Sequence, residues 1–374
     1  MTITRRDTLK ILGAGLLPLQ ALHAAEGDEP LKAIAQRKGL RFGNAMGSGK
    51  NKFDDPAYRA LMARECNIIV AENETKWPQI EPSNGQMNFK PADEMFAWAK
   101  SNGMAIRGHT LIWQEPKWLP KWVNEYKFGP QGGKAAEALL KKHINTVCGH
   151  FGKDIISYDV VNEAIDRKTG EYHPNVLSER LGGTASEIEL AFRLAHEAAP
   201  HAQLVYNDFM HWNVENAKHR AGVLRLLHEL KKRGAPIHAL GIQSHIGGWE
   251  DSANKAAVVR EWRKFLDEVT GMGLDLLITE FDVNDKQFPA DIAQRDAGVA
   301  ALTKEYLDVT LSYAQVKDFL LWGMADHVSW LQDLKGASRK DGLQMRCAPF
   351  DEKLQAKPMR QAIAESLRAM PQRA

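Results

Sequence analysis

The chain has 374 residues, 49 Lys+Arg against 47 Asp+Glu, and ten tryptophans. Charges that nearly cancel, with no basic cluster interleaved with aromatics, argue against nucleic acid as a partner. Cys66, Cys148 and Cys347 are widely spaced, odd in number and not at zinc-ligand spacings, so they read as small buried apolar residues rather than a disulfide framework or a metal site.

At the N-terminus, Thr4-Arg5-Arg6-Asp7-Thr8-Leu9-Lys10 precedes a modestly apolar stretch, 11–22, and then the small residues Ala24 and Ala25. That order matches a twin-arginine export signal, and the apolar stretch is too short to serve as a stable membrane anchor. Residues 1–25 are therefore set apart from the fold, 26–374 are expected to form the folded unit, and the expected location is periplasmic or secreted.

From residue 40 onward, short apolar runs alternate with segments whose apolar residues recur every three to four positions. Strands are expected at 41–46, 67–72, 105–112, 156–162, 204–207, 239–245, 276–280 and 319–323. Helices are expected at 135–151, 187–199, 217–232, 256–269 and 292–311, with a last one at 357–370. Alternating βα units imply a parallel sheet, and eight of them without a Gly/Pro/Ser linker imply an α/β fold of one closed unit, a single (β/α)8 TIM barrel. The rival, an open doubly wound sheet, normally carries a Gly-rich phosphate loop after its first strand. The segment Gly43-Asn44-Ala45-Met46-Gly47-Ser48-Gly49 lacks that spacing and reads as a flexible first βα turn.

Polar residues gather at the C-terminal ends of seven of these runs, the face on which a barrel of this kind opens its active site. They are Glu72 and Asn73 with Lys76, His109 and Trp113, Asn162 and Glu163, Asn207 and Asp208, Gln243 and His245, Glu280 and Asp282, and Trp322 with Asp326 and Trp330. A lone polar residue ending a strand is usually a cap. So many on one rim are not accounted for by caps. Two of the runs end in glutamate, and a pair of carboxyls flanking a glycosidic bond is the minimum equipment for cutting it.

The motifs Glu72-Asn73-Glu74-Thr75-Lys76-Trp77, Gly108-His109-Thr110-Leu111-Ile112-Trp113, Asp159-Val160-Val161-Asn162-Glu163, Tyr206-Asn207-Asp208, Gly241-Ile242-Gln243-Ser244-His245, Ile278-Thr279-Glu280-Phe281-Asp282 and the run from Trp322 to Trp330 closely resemble the glycoside hydrolase family ten endo-β-1,4-xylanases, over about residues 40–369. The resemblance implies a retaining enzyme acting on xylan and xylo-oligosaccharides, with Glu163 as acid/base and Glu280 as nucleophile. By the same resemblance Glu72, Asn73 and Lys76 hold the next sugar along, and His109 and Trp113 line the reacting one together with Gln243, Trp322 and Trp330. Tyr158, Phe281, the run Phe209-Met210-His211 and Leu331 depart from the family pattern, which bears on binding beyond the cleavage point.

The residues support parts of this without the family. Two glutamates with opposite tasks need unlike surroundings. His245 is placed to hydrogen-bond Glu280, with Asp282 on its other nitrogen, an array that keeps Glu280 ionised. Asn162 fits a sugar 2-hydroxyl, and the tryptophans offer flat apolar faces to sugar C–H edges. Tyr206 and Asn207 read as supports. Trp77, Trp98 and Trp262 read as packing. His109, His245, Asp208, Glu280 and Asp326 lack metal-binding spacings, so no metal and no cofactor are expected. A monomer is expected. The rival readings are the same chemistry on β-1,4-glucan or aryl glycosides, and a barrel that binds carbohydrate without cutting it.

Overall fold

In the computed structural model, residues 29–247 and 254–373 are described; the export signal read at 1–25 lies outside them. The strands are β1 (Arg41–Met46), β2 (Ile68–Ala71), β3 (Ala105–Trp113), β4 (Ile155–Asn162), β5 (Gln203–Asp208), β6 (Ala239–Ile242), β7 (His245–Ile246), β8 (Asp275–Val283) and β9 (Val316–Leu321). All pair in parallel, β1 closes on β9 and β6 pairs directly with β8, so every strand but the two-residue β7 lies in one closed ring of eight. Helices Pro56–Glu65, Lys90–Ser101, Gly132–Phe151, Thr184–Ala198, Ala217–Lys232, Lys255–Gly271, Ile292–Thr310 and Pro358–Ala369 follow the strands in turn, and a further helix, Leu31–Arg37, precedes β1.

The strand sequences divide themselves between two cores because side chains alternate across a sheet. In β2, Ile68 and Val70 join Ala45, Leu320 and Trp322 inside the barrel, while Ile69 and Ala71 join the large cluster between sheet and helices. Strands buried on both faces read as continuous apolar runs, which is why they are visible in the sequence at all. The cysteines are buried and free. Trp77 and Trp262 are buried in the outer core, and Trp98 packs against it edge-on to Phe53.

Two expectations need correction. The sixth strand does not run unbroken over 239–245: it stops at Ile242, Ser244 takes a positive φ of 62°, and the chain resumes as β7, where His245 and Ile246 pair with Asp282 and Val283. The glycine-rich segment 43–49 is not a turn throughout, since Gly43 to Met46 belong to β1. Gly43 is there for close approach, because a Cβ would lie 2.0 Å from the Ile68 carbonyl oxygen of the neighbouring strand. Of the departures from the family pattern, Tyr158, Phe281 and Leu331 are all buried, and Phe281 stacks on Tyr306, so these three belong to the core.

Strict alternation fails at three strand ends, where the register slips within β3 between His109 and Ile112, within β4 between Asp159 and Val161, and along β8 between Ile278 and Phe281. Such irregularities re-aim side chains beside active sites.

Gly43→Ala is expected to destabilise the fold by about 3 kcal/mol, since a backbone carbonyl and Ile68 must both move. Gly149→Ala, whose added Cβ meets nothing within 4 Å on an exposed face of helix Gly132–Phe151, is expected to be neutral or slightly stabilising. Urea midpoints of the two variants provide the comparison.

Candidate active site

The irregularity in β8 lets consecutive residues reach the same neighbour. Thr279 Oγ1 donates to Asn207 Oδ1 at 2.7 Å, and Glu280 Oε1 accepts from Asn207 Nδ2 at 2.8 Å. In β4 and the turn after it, Asn162 and Glu163 both face the mouth, with Glu163 at a positive φ of 55°. Asn162 Oδ1 accepts from Asn207 Nδ2 at 2.9 Å and from Gln243 Nε2 at 3.3 Å; Glu163 Oε1 accepts from the same Gln243 nitrogen at 2.8 Å. The indole N–H of Trp113 donates to Glu163 Oε2 at 3.0 Å. The two glutamates are thus joined through Asn207, Asn162 and Gln243. Asn162 Nδ2 is buried and makes no hydrogen bond among the described residues.

The far oxygen of Glu280 meets His245. Nε2 of that ring lies 3.3 Å from Glu280 Oε2 and Nδ1 lies 2.9 Å from Asp282 Oδ2, which also accepts the Trp330 indole N–H at 2.7 Å. Burial works against a charged imidazole, but Asp282 and Glu280 outweigh it, and His245 is pushed up to about 10. Burial would raise the Glu280 carboxyl as well; the His245 hydrogen bond, the His109 and His245 rings and the Asn207 donor overcome it and hold Glu280 below the usual range. Glu163 has no cation in hydrogen-bonding contact. Burial pushes its carboxyl up, the negative charges of Asp208 and Glu280 add to that, and the Gln243 and Trp113 donors offset only part, so Glu163 titrates at about 7.

Around this pair stand the other residues of the rim. His109 Nδ1 is 2.9 Å from Asp159 Oδ2, and its ring meets Trp322 nearly edge-on at 5.3 Å. Lys76 Nζ lies over the Trp113 ring at 4.7 Å and donates to Asn73 Oδ1 at 2.9 Å; burial lowers its pKa, against the pull of Glu280, Glu72 and Glu163. Glu72 pairs with Lys52. Tyr206 lies beneath the mouth, fully buried, where its hydroxyl accepts the Ala164 N–H at 3.0 Å and donates to Asp208, bracing the turn behind Glu163.

Two rim residues turn elsewhere. Asp208 is buried with its oxygens on His219, Phe209 N and Tyr206, and Asp326 accepts from Lys357 Nζ on both oxygens at 3.0 Å and from the Ala348 N–H at 3.0 Å. Sequence reading missed Lys52, Asp159 as the partner of His109 and Arg107, and Trp118, a 41% exposed indole stacked on Trp113 at 4.4 Å. Asp159 was in view as a motif member. Lys52 lies in a loop and Trp118 ends the short helical turn Pro116–Trp118, with nothing local to mark either.

A parallel barrel whose mouth holds one carboxyl kept ionised and another pushed up to about 7, ringed by indoles and polar side chains, has the equipment of a glycoside hydrolase. Comparison with known proteins agrees: residues 30–366 match Glycosyl hydrolase family 10. The chain belongs to that family. It is 33% identical to the beta-1,4-xylanase of Dictyoglomus thermophilum over 297 residues, 76% of this chain and 78% of that one. It is 29% identical to endo-1,4-beta-xylanase B of Thermotoga neapolitana, over 90% of this chain and 91% of the relative. Among solved structures, native xylanase 10B from Thermotoga maritima superposes with a TM-score of 0.79 at 29% identity, covering 90% of this chain and 98% of that one.

Carboxyl-selective NMR titration should find Glu163 half-ionised near pH 7 and Glu280 ionised well below it. In the Glu280→Gln variant a negative charge is gone, so the Glu163 midpoint should fall; in Gln243→Leu a donor to its charged form is gone, so the midpoint should rise. An unmoved midpoint in both variants would mean that the local charges do not set it.

Proposed function

We infer that the protein is an endo-1,4-β-xylanase that hydrolyses internal β-1,4 bonds of xylan and xylo-oligosaccharides with net retention. The observation that carries the roles is the unlike state of the two carboxyls. In this reading Glu280, ionised, attacks the anomeric carbon while Glu163 gives its proton to the departing glycosidic oxygen. The bond from that carbon to Glu280 forms as the bond to the leaving sugar breaks. Esterification removes the charge on Glu280, so the remaining repulsion on Glu163 is smaller and its carboxylate persists to take a proton from the incoming water. Water then displaces Glu280 from the sugar, and Glu163 ends protonated as it began.

The unpartnered Asn162 Nδ2 suits the 2-hydroxyl of the reacting sugar, a contact that strengthens as the ring gains positive character. Glu72, Asn73 and Lys76 suit the hydroxyls of the next sugar, and Trp113, Trp322 and Trp330 supply apolar faces. The reading takes the protein to act as a monomer. The twin-arginine pattern at residues 4–10 supports export to the periplasm or beyond, where the polymer is met. No helix among the described residues is long and apolar enough to cross a membrane.

Glu280→Ala is expected to lower kcat on xylan by about four orders of magnitude, with azide restoring turnover as an α-xylosyl azide. Proton NMR of the first products of the wild type should show the β-anomer before mutarotation. Release of the α-anomer, or a Glu280→Ala variant that cuts xylan at the wild-type rate, would remove the assignment. Rates on soluble β-1,4-glucan that equal or exceed those on xylan would change the substrate, and binding of xylan without product would change the class.

A further inference from the structure

Glu187, a second carboxyl with no place in the reaction, lies close behind the acid/base. It sits in the first turn of helix Thr184–Ala198, with 0% exposure, and both its partners are amides. Its Oε2 accepts from Gln114 Nε2 at 2.7 Å and its Oε1 from Asn175 Nδ2 at 3.1 Å. Burial pushes the carboxyl up to about 7. A group so costly to bury is poorly explained as filler, since an apolar side chain of the same size would fill the space at less cost.

Both amides lead to Glu163. Gln114 follows Trp113 directly, and its backbone N–H donates to the Asn162 carbonyl at 2.9 Å; Asn175 Nδ2 also reaches the Gln114 carbonyl at 3.3 Å. The same Gln114 Nε2 lies 3.3 Å from the His173 carbonyl, and the His173 N–H donates at 2.8 Å to the carbonyl of Ala164, the residue after Glu163. Gln114 Oε1 is buried without a partner, so nothing on that side fixes which way its amide points. Glu187, at 2.7 Å, supplies the shorter of the two acceptors that fix it, the His173 carbonyl at 3.3 Å being the other.

We propose that Glu187 is a positioning residue for the acid/base. By orienting the Gln114 and Asn175 amides it keeps the Trp113 strand end and the 163–164 turn in register, so that the Trp113 indole N–H stays on the Glu163 carboxyl. This rests on the reading of Glu163 as proton donor to the leaving group. A residue that acts through the proton donor matters where the leaving group needs the proton and is silent where it does not, whereas a residue that only stabilises the fold affects every substrate alike.

The test compares kcat/KM on xylotetraose, whose leaving sugar needs protonation, with kcat/KM on 2,4-dinitrophenyl β-xylobioside, whose leaving group does not. For Glu187→Ala the first is expected to fall about tenfold while the second stays within about twofold, with the basic limb of the pH profile displaced. Glu187→Gln keeps the shape and one acceptor, and its Gln114 partner is free to turn its amide, so it should recover most of the loss and leave the ratio shifted by about threefold. Equal losses on both substrates, or no loss on either, would overturn the proposal. If Glu187→Ala does not fold, an unchanged ratio in Glu187→Gln overturns it as well. A wild type inactive on both substrates would instead defeat the functional reading on which it stands.

Discussion

The side-chain amide of Asn207 joins the strands that carry the two glutamates. Its nitrogen donates both to Glu280 on β8 and to Asn162 on β4, and its oxygen accepts from Thr279, so one planar group is satisfied on each side and cannot turn without breaking those bonds. Room for it is made by Gly241 on the intervening strand, where a Cβ would lie 2.3 Å from Asn207 Oδ1. Remove the amide and the carboxyl of Glu280 keeps its charge but loses its registration against the residue that precedes Glu163.

The same small region also separates the protonation of two chemically identical side chains. His245, itself pinned by Asp282, is held in its charged form on one side of the mouth, and its influence reaches Glu280 by direct contact. Glu163 faces only neutral donors, Trp113 and Gln243, and feels the negative charges of Glu280 and Asp208 through a poorly solvated interior. Trp330 ties this arrangement to the loop after β9 by donating to Asp282, so an indole of the rim also steadies the imidazole that holds Glu280 ionised.

Much of the mouth is legible in the strand-end motifs because parallel strands buried on both faces leave few places for polar side chains. What a period of two does not account for is how Asn162 and Glu163, and likewise Thr279 and Glu280, act on one side, since it would send neighbouring residues to opposite faces. The register slips in β4 and β8, with the positive φ of Glu163, bring them to one side. The break after Ile242 has a similar origin, since His245 pairs with Asp282 on β8 in a short separate strand that an apolar run cannot announce.

The sequence by itself determined the parallel barrel, through alternation of doubly buried runs with amphipathic segments, and it placed a set of polar residues at the strand ends. Tertiary structure alone decided which oxygen meets which donor. Lys52 on Glu72 and Glu187 beneath Gln114 come from segments distant in the chain, Trp118 folds back onto Trp113 from the short helical turn just beyond β3, and Asp208 and Asp326 turn their carboxylates to structural partners. The physical reason is that strand burial is a local property repeated along the chain, whereas the ionisation of a buried carboxyl depends on the few charges and donors within hydrogen-bonding reach, and those are brought together only when the ring closes.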